Sequence, residues 1–171
     1  MESGSNIGII YGLEFQCRSL CPVSADTDSV CFLVGTQGLK MTNQVHMVQL
    51  SEETRTLTKR VYAHTSGEIW QIASSFADPR LFSTRHSQVD VTSVGALKIG
   101  GSVWKIPEES KTEQYQSSGE ELELVCHLKS DDVDHVSWLP STDSPNKVMV
   151  LANNKLTLHD ISVIQGSNQE R

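Results

Sequence analysis

Apolar residues in this chain come in short runs that are separated by turn-forming residues. Residues 30–34 form a continuous β-branched and aromatic run, and residues 44–50 mix alternation with a short apolar run. Turn-forming clusters at 26–28 and 35–38 interrupt the pattern. No stretch keeps a 3.6-residue apolar stripe for three helical turns. Short strands between turns predict an all-β fold, as a sandwich, a barrel or a propeller.

Two kinds of segment recur in the same order along the chain. Segments 47–50, 103–106 and 158–161 each begin with an apolar residue and end with an aliphatic one. Their second residues are Val48, Trp104 and His159, which are 56 and then 55 residues apart. Another set precedes them, at 13–15, 70–72 and 136–138, and ends at Phe15, Ile72 and Trp138. Recurrence of both sets predicts a repeating unit of several strands.

Each unit can be divided into four strands, which is the composition of a propeller blade. The predicted strands are 9–16, 30–36, 44–50 and 56–62, then 68–74, 80–85, 102–107 and 122–128, then 134–139, 147–152 and 155–161. We therefore expect an incomplete WD-repeat β-propeller with about two to three blades. The predicted division is a flexible N-terminus (1–8), a first blade (9–64), a second blade (65–128) with a polar, acidic loop at 107–121, a partial third blade (129–162) and a polar tail (163–171).

A WD blade pairs an aromatic residue with an acid at the end of its third strand and places a histidine before the next blade. Together with a Ser or Thr and an Asp, these residues can form a buried polar network. Trp104 occupies the aromatic position, Asp160 the acidic position and His64 the histidine position. Trp70, Trp104, Trp138 and Phe15 are expected in blade cores, because large aromatic residues dominate sheet packing. The candidate blade-signature residues are His64, Trp70, Trp104, Trp138 and Asp160.

Charge and cysteine content narrow the function classes. The net charge of −7, without a Lys/Arg cluster, disfavours nucleic acid as a partner. No apolar run reaches the roughly 18 residues that span a bilayer, so we expect no membrane insertion and a cytoplasmic chain. Cys17, Cys21, Cys31 and Cys126 are then expected to be buried or half-buried free thiols. No zinc-site spacing accompanies them.

No motif for catalysis or for a cofactor is present in the sequence. A nucleophile elbow, a His-Glu-x-x-His metal motif and a phosphate-binding loop are all missing. We expect Gly100-Gly101 and the segment 35–38 to be turns before strands rather than phosphate loops. We therefore expect no enzyme, no metal, no cofactor and no small-molecule substrate.

Several segments resemble the N-terminal part of the EARP-and-GARP-complex-interacting protein family of WD-repeat proteins. The matching segments are 11–16 (Tyr-Gly-Leu-Glu-Phe-Gln), 32–37 (Phe-Leu-Val-Gly-Thr-Gln), 43–46, 67–70, 103–107 and 122–128. They occur in the family's order, and the resemblance covers about 9–161. Generic WD repeats do not contain the first two of these segments.

The resemblance implies a scaffold that binds the EARP and GARP tethering complexes. It implies a peripheral location at the trans-Golgi network and recycling endosomes, with roles in endosomal recycling, Golgi retrieval and secretory-granule cargo sorting. Family members are about twice this length and form seven-bladed rings, so the resemblance implies an open ring here. It does not assign the partner-binding residues.

Two alternatives remain from the sequence. One is a general WD-repeat scaffold, such as a substrate receptor for a ubiquitin ligase. The other is a truncated, non-autonomous fragment, because an open propeller exposes a blade edge and an apolar flank.

Overall fold

The computed structural model describes residues 8–38, 42–89, 96–108, 120–141 and 143–162, and within them the chain forms twelve β-strands in three sheets. The strands are β1 (Cys17–Pro22), β2 (Val30–Thr36), β3 (Asn43–Ser51), β4 (Thr56–His64), β5 (Glu68–Ser74), β6 (Leu81–Val89), β7 (Leu97–Lys105), β8 (Glu120–Glu121), β9 (Glu123–Leu128), β10 (Val133–Trp138), β11 (Lys147–Ala152) and β12 (Lys155–Asp160). The prediction of an all-β, incomplete propeller is confirmed.

Each sheet is built from strands that follow one another along the chain. The orders are β1-β2-β3-β4-β8, β5-β6-β7-β9 and β10-β11-β12. Neighbouring strands are antiparallel, except that β8 lies parallel to β4. The first strands of successive sheets contact each other, β1 against β5 and β5 against β10. This arrangement is the radial stacking of propeller blades.

The third-strand positions found by their spacing occupy the same row of each sheet. In every sheet, three residues pair across the first, second and third strands: Pro22–Phe32–Val48, Ser74–Phe82–Trp104 and Trp138–Val148–His159. The prediction that Val48, Trp104 and His159 are equivalent is confirmed by this register.

The prediction for the first strand of the first blade is wrong. Residues 8–16 form no strand, and β1 begins at Cys17. The residues that share the row of Ile72 are Leu20 and Val136, so the predicted equivalence of Phe15, Ile72 and Trp138 is wrong. Trp138 lies in the row of Ser74 instead. The true first strand is Cys-Arg-Ser-Leu-Cys-Pro, whose mixed polarity gives no alternation over a useful length.

Segment 8–16 lies instead against the first sheet. The Tyr11 hydroxyl and His46 Nδ1 are 2.8 Å apart in a hydrogen bond, and the Lys59 ammonium lies 5.9 Å from the centre of the Tyr11 ring. The apolar pattern of this segment resembles a strand, but Ile9 and Ile10 are exposed, and the contacts with the sheet come from Tyr11.

Two further boundaries differ from the predictions. β6 continues to Val89 and β7 begins at Leu97, so this hairpin is longer than the predicted strands 80–85 and 102–107. The turns expected at Gly100-Gly101 and at Gly35 are therefore wrong, because these glycines lie within β7 and β2. In the predicted loop 107–121, Glu120 and Glu121 form β8, while 109–119 lie outside the described residues. The predicted tail (163–171) and residues 1–7 of the predicted N-terminus also lie outside them.

Two apolar clusters fill the spaces between the sheets. The first joins the first and second sheets, and its fully buried members include Leu33, Val45, Tyr62, Ile69 and Phe82. The second joins the second and third sheets and includes Val103, Val136, Trp138, Val148 and Ile161. Apolar burial between sheets therefore fixes how each sheet packs on the next.

Side-chain hydrogen bonds to backbone atoms cross both boundaries. The Ser74 hydroxyl donates to the Pro22 carbonyl at 2.7 Å, which ties the second sheet to the first. The Gln71 amide donates to the Val136 carbonyl at 2.9 Å and accepts from the Val136 N–H at 3.0 Å. Gln71 thus satisfies the backbone of β10 much as a neighbouring strand would.

Gly35 tests the packing between the first two sheets. A Cβ atom at this position would lie 2.3 Å from Ser19 Oγ and 2.6 Å from Ile69 Cγ2, so a methyl group cannot fit without movement of β5. We expect Gly35→Ala to lower the free energy of unfolding by about 1–3 kcal/mol through overpacking. Urea unfolding measures this change. The control is Gly12→Ala, where a Cβ meets nothing within 4 Å. Equal stability of the two variants would contradict this packing.

Candidate functional site

A polar network links the end of the first sheet to the middle of the second. His64 is the last residue of β4, and its Nε2 lies 3.1 Å from Thr84 Oγ1 on β6. The Trp104 indole N–H on β7 donates to the same Thr84 oxygen at 2.9 Å. The His64 and Trp104 rings are 4.8 Å apart, centre to centre. Thr84 therefore connects the histidine of one sheet with the tryptophan of the next.

The turn after β4 completes the environment of the histidine. His64 Nδ1 lies 3.1 Å from the Gly67 carbonyl, so the neutral ring donates there or to Thr84 according to its tautomer. Gly67 has φ of 91°, and a Cβ at that position would lie 2.1 Å from the Ser87 carbonyl oxygen. Glycine is required at this turn, because the left-handed backbone and the close approach of β6 both exclude a side chain.

A second buried histidine extends the network. The His86 ring packs edge-on against His64 at 5.6 Å, and its Nδ1 lies 3.5 Å from Thr84 Oγ1. Burial, with a smaller contribution from the nearby His86, lowers the pKa of His64 from 6.5 to about 3. Burial likewise lowers the pKa of His86 to about 4. Both rings are therefore neutral at physiological pH.

The equivalent positions of the other sheets do not build the same network in the described residues. Val48 takes the place of Trp104 in the first sheet and has no polar side-chain atom. His159 takes it in the third sheet, where it is half-buried and its Nε2 lies 3.0 Å from Thr157 Oγ1. Of the predicted signature residues, the structure brings only His64 and Trp104 together.

The remaining signature residues lie elsewhere. Trp138 is buried, and its indole N–H donates to the Ala73 carbonyl at 2.9 Å, across the second boundary between sheets. Asp160 is exposed and accepts hydrogen bonds from the backbone and hydroxyl of Ser162. Asp160 therefore takes no part in a buried network.

The expectation that all four aromatic residues lie in blade cores is wrong for two of them. Trp104 and Trp138 are 2% exposed, whereas Trp70 and Phe15 are only partly buried. Trp70 is bypassed by the pairing of β5 with β6, because the register shifts between Ile69 and Gln71. Such a bulge turns a side chain away from the regular alternation of the strand. Phe15 lies outside any strand.

Thr84, the centre of the network, was not singled out from the sequence. The expected network included a Ser or Thr, but β6 contains Ser83, Thr84 and Ser87, and their order alone does not distinguish them. The strand register distinguishes Thr84 from the two serines. Thr84 pairs with Ser102, so it lies on the same face of the sheet as Trp104, which is two residues after Ser102.

The cysteines form no metal site in the described residues. All four are free, and no group of three or more His, Cys, Asp or Glu side chains in those ranges is placed to bind a metal ion. Burial raises the pKa of Cys21 to about 11, so its thiol is not activated at neutral pH. Cys17 is exposed, which corrects the expectation that every thiol is at least half-buried.

A cleft of about 390 Å³ lies between the first two sheets. Met47 and Ile106 supply apolar surface, and Arg60 and Arg80 lie at its edge. Arg80 is paired with Glu108 at 2.8 Å, which raises the pKa of its guanidinium.

The described ranges include no helix of the length and hydropathy needed to cross a bilayer.

The buried histidines predict how stability depends on pH. In the folded chain His64 and His86 stay neutral down to about pH 3 and about pH 4, but in the unfolded chain they bind protons below about pH 6.5. As the pH is lowered, the unfolded state therefore binds protons at a higher pH than the folded state does. The contribution of these two histidines to stability should be constant well above pH 6.5 and fall by up to about 1.4 kcal/mol per pH unit for each histidine as the pH is lowered from there toward pH 4.5.

Urea unfolding between pH 7.5 and pH 4.5 measures this dependence. Replacement of one histidine, as in His64→Gln, should reduce the slope below pH 6.5. The control is His135→Gln, which removes an exposed ring from β10. The same slope for the His64 variant and the unmodified chain would contradict burial of a neutral His64.

Comparison with known proteins places this geometry in a family. The family model described as the EIPR1 beta-propeller matches residues 5–171. The EARP and GARP complex-interacting protein 1 of Homo sapiens is 38% identical over 164 residues, which cover 90% of this chain and 41% of the relative. The EARP-interacting protein homolog of Gekko japonicus is 39% identical over 164 residues, with the same coverage.

A plant protein matches at a similar level. The WD repeat-containing protein DWA2 of Arabidopsis thaliana is 38% identical over 147 residues, which cover 84% of this chain and 38% of the relative. The chain thus spans about two fifths of the length of the curated relatives that it matches. Because the family model extends over nearly the whole chain, the chain belongs to the EIPR1 beta-propeller family.

Proposed function

We propose that this chain is a non-enzymatic WD-repeat adaptor that binds the EARP and GARP vesicle-tethering complexes. In this role it supports endosomal recycling, Golgi retrieval and the sorting of secretory-granule cargo. Its proposed location is cytoplasmic, peripheral at the trans-Golgi network and recycling endosomes. Its partners are proteins, and it needs no cofactor, nucleic acid or small-molecule substrate for this work.

One observation carries the proposal. The relatives that are 38–39% identical to this chain over the aligned 90% of its length are named for their interaction with EARP or with EARP and GARP. The family model supports the scaffold that such an interaction would use. Stacked sheets with loops at their edges can present several contact surfaces at fixed separations.

The proposed division of the chain follows the blades. We propose a first blade at 9–64, a second at 65–128 and a partial third at 129–162. In this scheme His64 and Trp104 mark the junction of the first two blades and Trp138 marks the next. Hydrogen bonds from these three side chains across or beside the junctions support the assignment.

A general WD-repeat scaffold is the second candidate. The Arabidopsis relative, at 38% identity, is named only for its WD repeats, so the shared propeller does not by itself imply a tethering complex. A ubiquitin-ligase substrate receptor is one form of this candidate. The two candidates differ in what the chain should capture.

Affinity capture from a cell lysate tests the proposal. The tagged chain should retain EARP and GARP subunits, detected by immunoblot, and should not retain a ubiquitin-ligase adaptor. The full-length human relative is the positive control. The Gly35→Ala variant is the structural control, because distortion between the first two sheets should reduce retention.

Retention of a ligase adaptor without tether subunits would favour the second candidate. Retention of tether subunits by the human relative but not by this chain would contradict the proposed function for this chain.

A further inference from the structure

The first strand of every sheet has a bulge at the same position. Between β1 and β2 the register shift bypasses Arg18, between β5 and β6 it bypasses Trp70, and between β10 and β11 it bypasses Asp134. These first strands are the ones that contact each other from sheet to sheet. The three bulges therefore lie along one edge of the stack, and all three side chains are exposed or only partly buried.

Two arginines surround the tryptophan at the middle bulge. The Arg18 guanidinium carbon lies 4.8 Å from the centre of the Trp70 ring, and that of Arg85 lies 5.8 Å from it. Both distances fall within the range of cation–π contacts. Arg18 comes from the first sheet and Arg85 from the second, so the cluster spans a boundary between blades. We call Arg18, Trp70 and Arg85 the Arg–Trp–Arg cluster.

Hydrogen bonds to neighbouring residues hold two members of the cluster, Trp70 and Arg85, in place. The Trp70 indole N–H donates to Ser87 Oγ at 2.7 Å, and the Ser87 hydroxyl donates to Glu68 Oε2 at 3.1 Å. Arg85 Nε donates to the Val133 carbonyl at 2.6 Å, which anchors it to the third sheet. A ligand would meet an indole and one guanidinium that are already positioned, so less conformational entropy is lost on binding.

The charge of the cluster is not balanced within the described chain. Neither Arg18 nor Arg85 lies within ion-pair distance of a carboxylate there, whereas Arg80 pairs with both Asp78 and Glu108. The Glu68 carboxylate accepts its hydrogen bond from Ser87 instead. Two guanidiniums beside one ring repel each other unless an anion approaches them. On a chain with net charge −7, this is a local site for negative charge.

From this geometry we propose that the Arg–Trp–Arg cluster binds an acidic peptide segment of a protein partner. Guanidinium groups bind carboxylates through paired hydrogen bonds, and the exposed indole offers apolar contact to the chain between them. Tryptophan and arginine are also the residues that most often dominate binding energy in protein interfaces. This inference goes beyond the proposed function, because it applies to any partner that presents such a segment.

Fluorescence anisotropy with defined peptides tests the inference. The probe is a fluorescein-labelled peptide with four consecutive glutamates, and the comparison peptide has four glutamines in their place. The glutamate peptide should bind the unmodified chain at least about fivefold more tightly, and high salt should weaken it. Arg18→Gln and Arg85→Gln should each remove most of this preference. Arg18→Gln is the more informative, since among the described residues the Arg18 side chain lies over the Trp70 ring and forms no hydrogen bond or ion pair that the substitution would break.

A double variant, Arg55→Gln with Lys155→Gln, is the matched control, because it removes two positive charges from exposed positions on other strands and turns. It should retain the preference, and circular dichroism confirms that each variant is folded. Equal binding of the glutamate and glutamine peptides to the unmodified chain would overturn the proposal. So would a loss of the glutamate preference in the control double variant as large as that in Arg18→Gln. Stronger binding of a phosphoserine peptide than of the glutamate peptide would also overturn it in favour of phosphate recognition.

Discussion

The packing of one sheet face on the next is the interaction on which this structure depends. Each sheet is too small to bury its apolar residues alone, and the two clusters between sheets contain nearly all of the fully buried large side chains. Backbone-directed bonds from Ser74, Gln71 and Trp138 then fix the relative positions of the sheets. Apolar burial supplies the driving force, and these bonds supply the register.

The polar network is a consequence of that packing. Thr84 can serve both His64 and Trp104 only because the end of β4 lies over the second sheet. The same burial lowers the pKa of His64, so the ring stays neutral, with one nitrogen that donates a hydrogen bond and one that accepts. The network therefore specifies how the two sheets meet, and protonation of its histidines works against that arrangement.

Sequence patterns predict the strands correctly where apolar alternation and spacing agree. They fail where contacts with other strands determine whether a segment joins a sheet. The third strands were found from Val48, Trp104 and His159, since their rows are regular. The sequence does not reveal β1 because its composition is mixed, while the apolar segment before it forms no strand and contacts the sheet through Tyr11.

The site residues follow the same rule. Trp104 and Trp138 were expected in the core and lie there, since they occupy regular strand positions. Trp70 was expected in the core as well, but a bulge turns it toward two arginines. A bulge is set by pairing between strands, which a single sequence does not reveal.

Disulfide trapping across the first boundary between sheets tests the stacking most directly. The Cys21 thiol on β1 contacts Ser74 on β5. Because burial raises the pKa of Cys21, the oxidation is carried out at alkaline pH, where its thiol can ionise. A Ser74→Cys variant should then form a Cys21 disulfide with the new thiol, detected by peptide mapping, while Ser74→Ala forms none there. If the new thiol remained free, or paired only with a cysteine other than Cys21, the first two sheets would not stack as described.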